Sequence, residues 1–340
     1  MPESEIDKAL IQAQKYYGLT PVILLGSGAS AAFEMAGMWQ LGQHLIESID
    51  RSKLEDSEKT VWDKFCEDLN NKVDLETALT NNRLSAPLTK EVIFQTWNLL
   101  NPQDHIVFKN SLSDQNYFPL GKLLKHLLRS TARKIDIITT NYDRLAEYSC
   151  EQESLYYYTG FSQGYRGYEE NPETINTTRK VNIWKVHGSL GWFKNDTSIN
   201  ISISNTNDLP SGLTPLIVTP GLDKYERATR EPYRTLISQA DRALTNSNAY
   251  LCIGYGFNDV HIQEKLINKC TRDNSKIIIL TRTLTESASN FLNSGEIHNH
   301  IAFTRGESDN ETIIRSSELQ APITVNENYW SLAGFLRIIM

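Results

Sequence analysis

The chain has 340 residues, of which 40% are hydrophobic and 22% are charged, so it is long enough to bury a sizeable core in one or two domains. Its formal net charge of -7 at pH 7 argues against direct nucleic-acid binding, because proteins that bind nucleic acid on their own usually present a basic face. No run approaches the roughly 18 consecutive apolar residues that span a bilayer, and residues 1–18 lack the apolar core of a signal peptide. We therefore expect neither a membrane segment nor export.

The cysteines are scattered along the chain and never occur as a C-x-x-C pair. They are Cys66, Cys150, Cys252 and Cys270. Structural zinc sites bring their ligands in closely spaced pairs, and disulfide frameworks belong to oxidising compartments. We predict no bound metal and a cytoplasmic protein.

In the first half of the chain, the apolar pattern predicts strands separated by helices. Apolar residues at helical spacing predict a helix ending near residue 18, and a strand follows at residues 21–25. Residues 51–116 contain helical stripes and no convincing strand, which predicts a mostly helical insertion. A helix that begins at Pro119 then returns the chain to a β-branched strand beginning at Ile135.

The second half of the chain continues this alternation. Strands are predicted at residues 181–186, 216–219, 250–253, 276–280 and 301–304, and helices at residues 232–244 and 259–268. The polar stretches 154–179 and 194–212 are predicted as long loops, and each is a candidate lid. Residues 329–340 carry so many apolar side chains that they must be buried against something.

The alternation of buried strands with amphipathic helices predicts the α/β class, as a doubly wound, Rossmann-like parallel sheet with a mostly helical insertion. Residues 1–50 and 117–340 are predicted to form the sheet domain. Residues 51–116 are predicted to form the insertion or subdomain.

The first predicted strand runs into a glycine-containing turn. This turn consists of Gly26, Ser27, Gly28, Ala29 and Ser30. Glycines allow the backbone to approach a pyrophosphate that is held at a helix N-terminus, so the turn is a candidate phosphate site. The alternative is an ordinary tight turn with Ser30 as a helix cap, because the third glycine of the G-x-G-x-x-G pattern is missing.

Polar groups also follow three later strands. Asn141 and Asp143 follow the strand at Ile135, and His187 follows the next strand along the chain. In parallel sheets, ligands bind beyond the carboxyl ends of the strands, so these side chains are candidate site residues. The alternatives are that Asn141 and Asp143 cap a helix and that His187 is a satisfied core histidine.

The fourth such stretch follows residues 250–253 and contains Gly254, Tyr255, Gly256 and Phe257. If the four strands are neighbours, their polar ends converge on one pocket. A histidine in that pocket is able to act as a base near neutral pH.

In this order, the sequences GSGAS (26–30), TNYD (140–143), HGS (187–189) and GYGF (254–257) resemble the sirtuin superfamily, and specifically its bacterial sirtuin-like branch. The histone deacylases of the superfamily carry a G-A-G-x-S turn, a Q-N-x-D motif, a catalytic H-G and a later G-T-S turn. The resemblance runs from about Gly26 to Asn268. The paired C-x-x-C zinc module and the G-I-P-D-F-R segment of the deacylases are absent.

The resemblance implies an NAD+ hydrolase (NADase) that takes NAD as substrate, uses no metal and releases nicotinamide and ADP-ribose. Similar sirtuin-like proteins deplete NAD in anti-phage defence by abortive infection, and some are partners of a HerA-type hexameric ATPase. Two alternatives stay open: an NAD-dependent protein deacylase or ADP-ribosyltransferase, and a non-catalytic NAD or ADP-ribose sensor.

On this reading, His187 is the base that acts on water or a ribose hydroxyl, Asn141 orients that group, and Asp143 is a weaker ribose or structural contact. The turn of residues 26–29, with Ser30 nearby, holds the pyrophosphate. Gly254, Tyr255 and Phe257 border the adenosine side.

We also expect a homo-oligomer regulated by a partner, with residues 329–340 or 51–116 at an interface. The alternative is that both segments only fill the core.

Overall fold

A computed structural model describes residues 4–129, 132–173, 175, 177–219 and 230–340. The strands in chain order are β1 (Val22–Leu25), β2 (Lys134–Thr139), β3 (Tyr157–Tyr158), β4 (Arg166–Tyr168), β5 (Lys180–Lys185), β6 (Gly188–Asn195), β7 (Asn200–Ile203), β8 (Leu213–Ile217), β9 (Ala249–Ile253), β10 (Lys276–Thr281), β11 (His300–Arg305), β12 (Thr312–Ser316) and β13 (Ile323–Val325).

The helices in chain order are α1 (Glu5–Tyr17), α2 (Ser27–Ala31), α3 (Met38–Ser48), α4 (Asp56–Asn70), α5 (Leu75–Asn81), α6 (Ala86–Ser111), α7 (Pro119–Arg129), α8 (Leu145–Gln152), α9 (Tyr233–Asn246), α10 (Val260–Arg272), α11 (Glu286–Asn293) and α12 (Leu332–Ile339). A short 3-10 turn, Arg51–Lys53, links α3 to α4. Within the described ranges, no helix combines the length and the apolar character that crossing a membrane requires.

A large sheet organises the chain. In the described residues it has nine strands, in the order β13-β12-β11-β10-β9-β1-β2-β5-β3. The strands from β11 to β3 are parallel, and β12 and β13 are antiparallel. After β1, the chain first forms β2, β3 and β5 on one side of it and later β9, β10 and β11 on the other side. The predicted doubly wound α/β fold is therefore confirmed.

The four strands that precede the sequence motifs are neighbours in this sheet. They are β9, β1, β2 and β5, and they run in the same direction. Leu25 pairs with both Thr139 and Ile253, and Thr139 pairs with Lys185, so the strands end level with one another. Their carboxyl ends therefore bring all four motifs to one edge of the sheet.

The sheet is buried on both faces, which explains its continuous apolar strands. In β1, Ile23 and Leu25 face a cluster formed with α1, α7 and α12. Val22 and Leu24 face a second cluster formed with α9, α10 and α11. Because successive side chains point to opposite faces, a four-residue strand joins both cores.

The apolar C-terminal segment is covered by its own chain. Phe335, Leu336 and Ile338 are buried, and α12 packs against α1 and α7. The apolar character of residues 329–340 therefore reflects core packing and gives no reason to expect an interface there.

The insertion is a helical layer with its own core. Trp62 and Phe65 stack with their ring centroids 4.8 Å apart, and α3, α5 and the start of α6 pack around them. The division at residue 51 remains a prediction, although α3 packs with this layer. Further along α6, the Asp104 carboxylate lies 2.7 Å from Arg144 at the start of α8, and both side chains are buried. This ion pair joins α6 to the start of α8.

A second sheet corrects the prediction of two long loops. β4, β7, β6 and β8 form an antiparallel sheet in that order, so the stretches 154–179 and 194–212 contain strands. β4 and β7 are short, and four residues of alternation give too weak a pattern for a prediction. Residues 174 and 176 of the first stretch lie outside the described residues.

Candidate functional site

A cavity of about 140 Å³ lies where the four motif-bearing strands end. It is lined by most of the residues that the sequence predicted for the site, namely Gly26, Ser27, Ser30, Asn141, Asp143, His187 and Tyr255. Gly28, Ala29, Gly254 and Phe257 do not line it. The sheet topology brings these positions together, because the carboxyl ends of adjacent parallel strands share one edge.

The Asn141 amide is held in one orientation. Its Nδ2 donates to the Gly26 carbonyl oxygen and to Ser30 Oγ, each at 2.8 Å. A carbonyl oxygen only accepts hydrogen bonds, so the NH2 group must face Gly26. Nothing in the described residues donates to Oδ1, which leaves this acceptor for a ligand.

Asp143 holds Ser30 in place. Ser30 Oγ donates to Asp143 Oδ2 at 2.6 Å while it accepts from Asn141, and Asp143 Oδ1 accepts from the Leu145 N–H at 3.2 Å. Burial raises the pKa of the Asp143 carboxyl, although the nearby Lys185 ammonium opposes that shift. Asp143 therefore acts on Asn141 through Ser30 and also accepts from the N–H of Leu145, the first residue of α8.

The Lys185 ammonium is fully buried beneath this chain of hydrogen bonds. It donates to the Asp143 main-chain oxygen and lies 3.1 Å from Glu147 Oε1. Burial raises the pKa of the Glu147 carboxyl, against the opposing effect of Lys185. These contacts fix the backbone of the loop that carries Asn141.

His187 is oriented by main-chain hydrogen bonds and by a carboxylate. The neighbouring Val186 N–H donates to the Thr139 oxygen at 3.1 Å, and the His187 oxygen accepts from the Val218 N–H at 2.9 Å. The His187 Nε2 atom lies 3.0 Å from Asp259 Oδ2, and both side chains are largely buried. The other Asp259 oxygen, Oδ1, accepts from the Ile262 N–H at 3.1 Å and so caps α10.

Two of the glycine turns pack directly against each other. A Cβ on Gly26 would lie 2.4 Å from the Gly254 oxygen, and one on Gly28 would lie 2.8 Å from Gly254 Cα. Gly254 has a φ of +56°, and a Cβ there would lie 2.2 Å from the Ala29 nitrogen. These glycines are therefore needed for contact between the turns, whatever the turns bind.

The turn after β1 has few free N–H groups. The Gly26 N–H donates to the Ile253 oxygen at 3.1 Å, that of Gly28 to the Gly254 oxygen at 3.0 Å, and that of Ala29 to the Gly26 oxygen at 3.0 Å. Among residues 26–29, Ser27 is the one whose N–H is not used in this way. The predicted phosphate contact would therefore depend on Ser27 and not on all four residues.

The two aromatic residues of the last motif, Tyr255 and Phe257, lie in different surroundings. Tyr255 lines the cavity, and burial raises the pKa of its hydroxyl, with the charge of Asp259 adding to the shift. Phe257 is fully buried, with its ring centroid 4.8 Å from that of Phe291. Phe257 is therefore a core residue that supports the turn from below.

Several residues that line the cavity were not singled out as site residues from the sequence. Asp259 was visible as a carboxylate at a strand end and at the start of a helix, which is a recognisable signal. Glu76, Met38 and Leu41 come from the helical layer. Nothing in their local sequence points to a site, because only the tertiary packing brings them to the edge of the sheet.

Among the described residues, no group of three or more His, Cys, Asp or Glu side chains is placed to hold a metal ion. The four cysteines are free, and Cys150, Cys252 and Cys270 are buried. The cavity presents an imidazole, carboxylates and an oriented amide as its reactive or polar groups.

A family model described as a SIR2-like domain matches residues 136–313, which is just over half of the chain. No curated protein matches the chain.

Solved structures of Sir2 proteins also resemble the chain. A structure described as the structural basis for the mechanism and regulation of Sir2 enzymes is 14% identical, with 83% of this chain and 89% of that chain covered and a TM-score of 0.42. A complex of a Sir2 homologue with NAD is 16% identical, with 90% of each chain covered and a TM-score of 0.40.

Proposed function

The chain belongs to the SIR2-like domain family, and from that premise we propose that it is an NAD+ hydrolase that cleaves NAD+ to nicotinamide and ADP-ribose. One observation carries the proposal: His187, paired with Asp259, and the oriented amide of Asn141 line the same cavity. This arrangement combines a base, a carboxylate that steadies it and an acceptor for water.

We propose that the cavity holds the nicotinamide end of NAD+. Its volume of about 140 Å³ is well below the roughly 300–1,000 Å³ of pockets that enclose drug-sized ligands, so a whole dinucleotide does not fit inside. The pyrophosphate would lie outside the cavity, near the Ser27 N–H at the start of α2. Tyr255 would contact the part of the nucleotide at the cavity wall.

The reaction is the breaking of the bond between ribose C1′ and the pyridinium nitrogen. The bonding electron pair goes to that nitrogen, so nicotinamide leaves neutral and needs no general acid, while positive charge develops on the ribose. A water oxygen then bonds to C1′, and His187 accepts the proton that this water loses. The Asp259 carboxylate lies where it stabilises the imidazolium that results.

Asn141 is proposed to position the water or a ribose hydroxyl through Oδ1, because both amide hydrogens are held by Gly26 and Ser30. An amide does not take up a proton at neutral pH, so Asn141 orients and His187 acts as the base. Asp143 contributes by holding Ser30.

Two other functions use the same cavity and are separated by one experiment. A deacylase or ADP-ribosyltransferase consumes NAD+ only with an acceptor, and a sensor binds the nucleotide without turnover. NAD+ is incubated with the purified chain, with and without an acyl-lysine peptide, and the products are separated by chromatography. We expect equal amounts of nicotinamide and ADP-ribose without peptide. Turnover that requires the peptide would identify a deacylase, and binding without turnover would identify a sensor.

We also propose, from the resemblance to bacterial sirtuin-like proteins, that this reaction depletes NAD in the cytoplasm during anti-phage defence. On that proposal, a HerA-type ATPase regulates the hydrolase and the chain forms a homo-oligomer. Cells that carry the parent protein should lose NAD after infection, whereas cells that carry His187→Ala should not. Light scattering of the chain, alone and with the ATPase, tests the assembly.

A further inference from the structure

The charges that line the cavity are acidic. Glu76, Asp143 and Asp259 contribute carboxylates, and none of the described residues that line it is a lysine or an arginine. Such a cavity is unsuited to a phosphate and suited to a cation. The acidic lining therefore favours the cationic end of a nucleotide over its phosphates.

Two of these carboxylates come from the ends of strands in the large sheet. Asp143 accepts from Ser30 and lies near Lys185, and Asp259 lies beside His187 and caps α10. Glu76 lies on α5 of the helical layer, so it lines the cavity from an element outside the large sheet.

The helix that carries Glu76 is firmly anchored. Asp74 caps α5 by accepting from the Thr77 N–H at 3.0 Å. Leu75, Ala78 and Leu79 are buried in the core of the helical layer. With these three residues packed inward, the half-buried Glu76 lines the cavity from a rigid element rather than from a loop. Its charge adds, after burial, Asp259 and Cys252, to the raised pKa of Tyr255, which lies on the sheet side.

We infer that Glu76 recognises the positive charge of the oxidised nicotinamide ring, so that the site selects NAD+ over NADH at the binding step. The inference rests on the proposed function, because it assumes that the nicotinamide end occupies this cavity. NAD+ and NADH share every group except the ring, which is a cation in one and neutral in the other. A carboxylate beside the ring therefore favours the oxidised form alone.

The same carboxylate remains useful as the bond breaks. The positive charge passes from the pyridinium nitrogen to the neighbouring ribose C1′ and its ring oxygen, which lie only a bond or two away. A fixed anion near both positions stabilises the charge throughout, and neutral nicotinamide is then released without an electrostatic penalty.

The test measures binding of NAD+ and NADH by titration calorimetry to the full chain carrying His187→Ala, so that turnover does not interfere. Glu76→Gln is added to this background, and Glu67→Gln serves as the matched control. Glu67 lies on α4 of the same insertion and is exposed, outside the cavity lining, so its replacement removes the same charge at a distance.

We expect Glu76→Gln to raise the Kd for NAD+ by about five- to tenfold, as the loss of one nearby charge implies, and to leave the Kd for NADH unchanged. Glu67→Gln should change neither constant. An equal change for NAD+ and NADH, or none for either, would overturn the inference and leave NAD+ hydrolysis standing. Failure of both nucleotides to bind the His187→Ala chain would overturn the proposed function, and the inference with it.

Discussion

His187 Nε2 lies 3.0 Å from Asp259 Oδ2, and this contact links the polar ends of two strands that are not adjacent in the sheet, β5 and β9. The same aspartate uses its other oxygen to cap α10. Asp259 therefore has two roles: its negative charge lies beside His187, and its Oδ1 atom accepts the hydrogen bond that caps α10. Replacement by asparagine keeps the size and the accepting oxygen and removes only the charge.

Asp259→Asn is expected to lower the rate of NAD+ cleavage by about 10²-fold, because the imidazolium formed at His187 loses its stabilising carboxylate. Asparagine caps helices as well as aspartate does, so the thermal unfolding temperature should change little. The checks are nicotinamide release and a thermal melt. A parent rate in a folded Asp259→Asn protein would show that the carboxylate has no part in the reaction.

Ser30→Ala removes the hydroxyl that joins Asn141 to Asp143. We expect the cleavage rate to fall by about tenfold, because one of the two hydrogen bonds that orient the Asn141 amide is lost. Asp143 also loses a partner, so the free energy of unfolding should fall by about 1–3 kcal/mol. Denaturant titration and initial rates measure the two effects. An unchanged rate would mean that the Gly26 contact alone orients the amide.

Gly254→Ala tests the contact between the two turns. The substitution puts a Cβ at φ +56° and 2.2 Å from the Ala29 nitrogen, so we expect a loss of at least about 3 kcal/mol in unfolding free energy. Gly295→Ala is the matched control, since Gly295 has a φ of +73° and nothing within 4 Å of its Cβ position. It should cost about 1 kcal/mol from the backbone alone. Equal losses would show that the close contact is unimportant.

The pH dependence of stability is expected to include a term from His261. Its hydrogen bond with Asp241, 3.0 Å from Nε2 to Oδ1, raises the pKa of the imidazole, and partial burial opposes the shift. The folded pKa is above the unfolded value, so the stabilisation is complete below about pH 6.5 and is lost as the pH rises through the folded pKa.

Because His261 is half-exposed, the contribution should not exceed about 1 kcal/mol. His261→Gln should therefore lower the thermal unfolding temperature at pH 6 and leave it unchanged at pH 9. The same decrease at both values would mean that the effect comes from packing and not from charge.

The sheet, and the edge at which the four motifs meet, could be predicted from the sequence because parallel strands have a strong signature. Ile135, Ile137 and Ile138 mark a strand buried on both faces, and the polar Asn141 that follows it marks the carboxyl end. The small antiparallel sheet could not be predicted, since β4 and β7 are only three and four residues long. A pattern of that length does not distinguish a strand from a loop.

The surroundings of the individual candidate residues were harder to predict than the meeting of their strands at one edge. Phe257 and Gly254 are predicted to border a nucleotide, and the structure shows that Phe257 is fully buried and that Gly254 packs against Gly28. Glu76 was not singled out, because its approach to the cavity depends on the packing of α5 in the helical layer. Contacts that depend on tertiary packing leave no local pattern in the chain.

The central claim is that His187 acts as the base in NAD+ hydrolysis, and a second His–Asp pair in the chain provides a matched control. His261 lies 3.0 Å from Asp241, as His187 does from Asp259, but does not line the cavity. Nicotinamide release is measured by chromatography for the parent chain, His187→Ala and His261→Ala. We predict that His187→Ala loses about 10²–10⁴-fold in rate and that His261→Ala keeps the parent rate. A folded His187→Ala protein that releases nicotinamide at the parent rate would contradict the account.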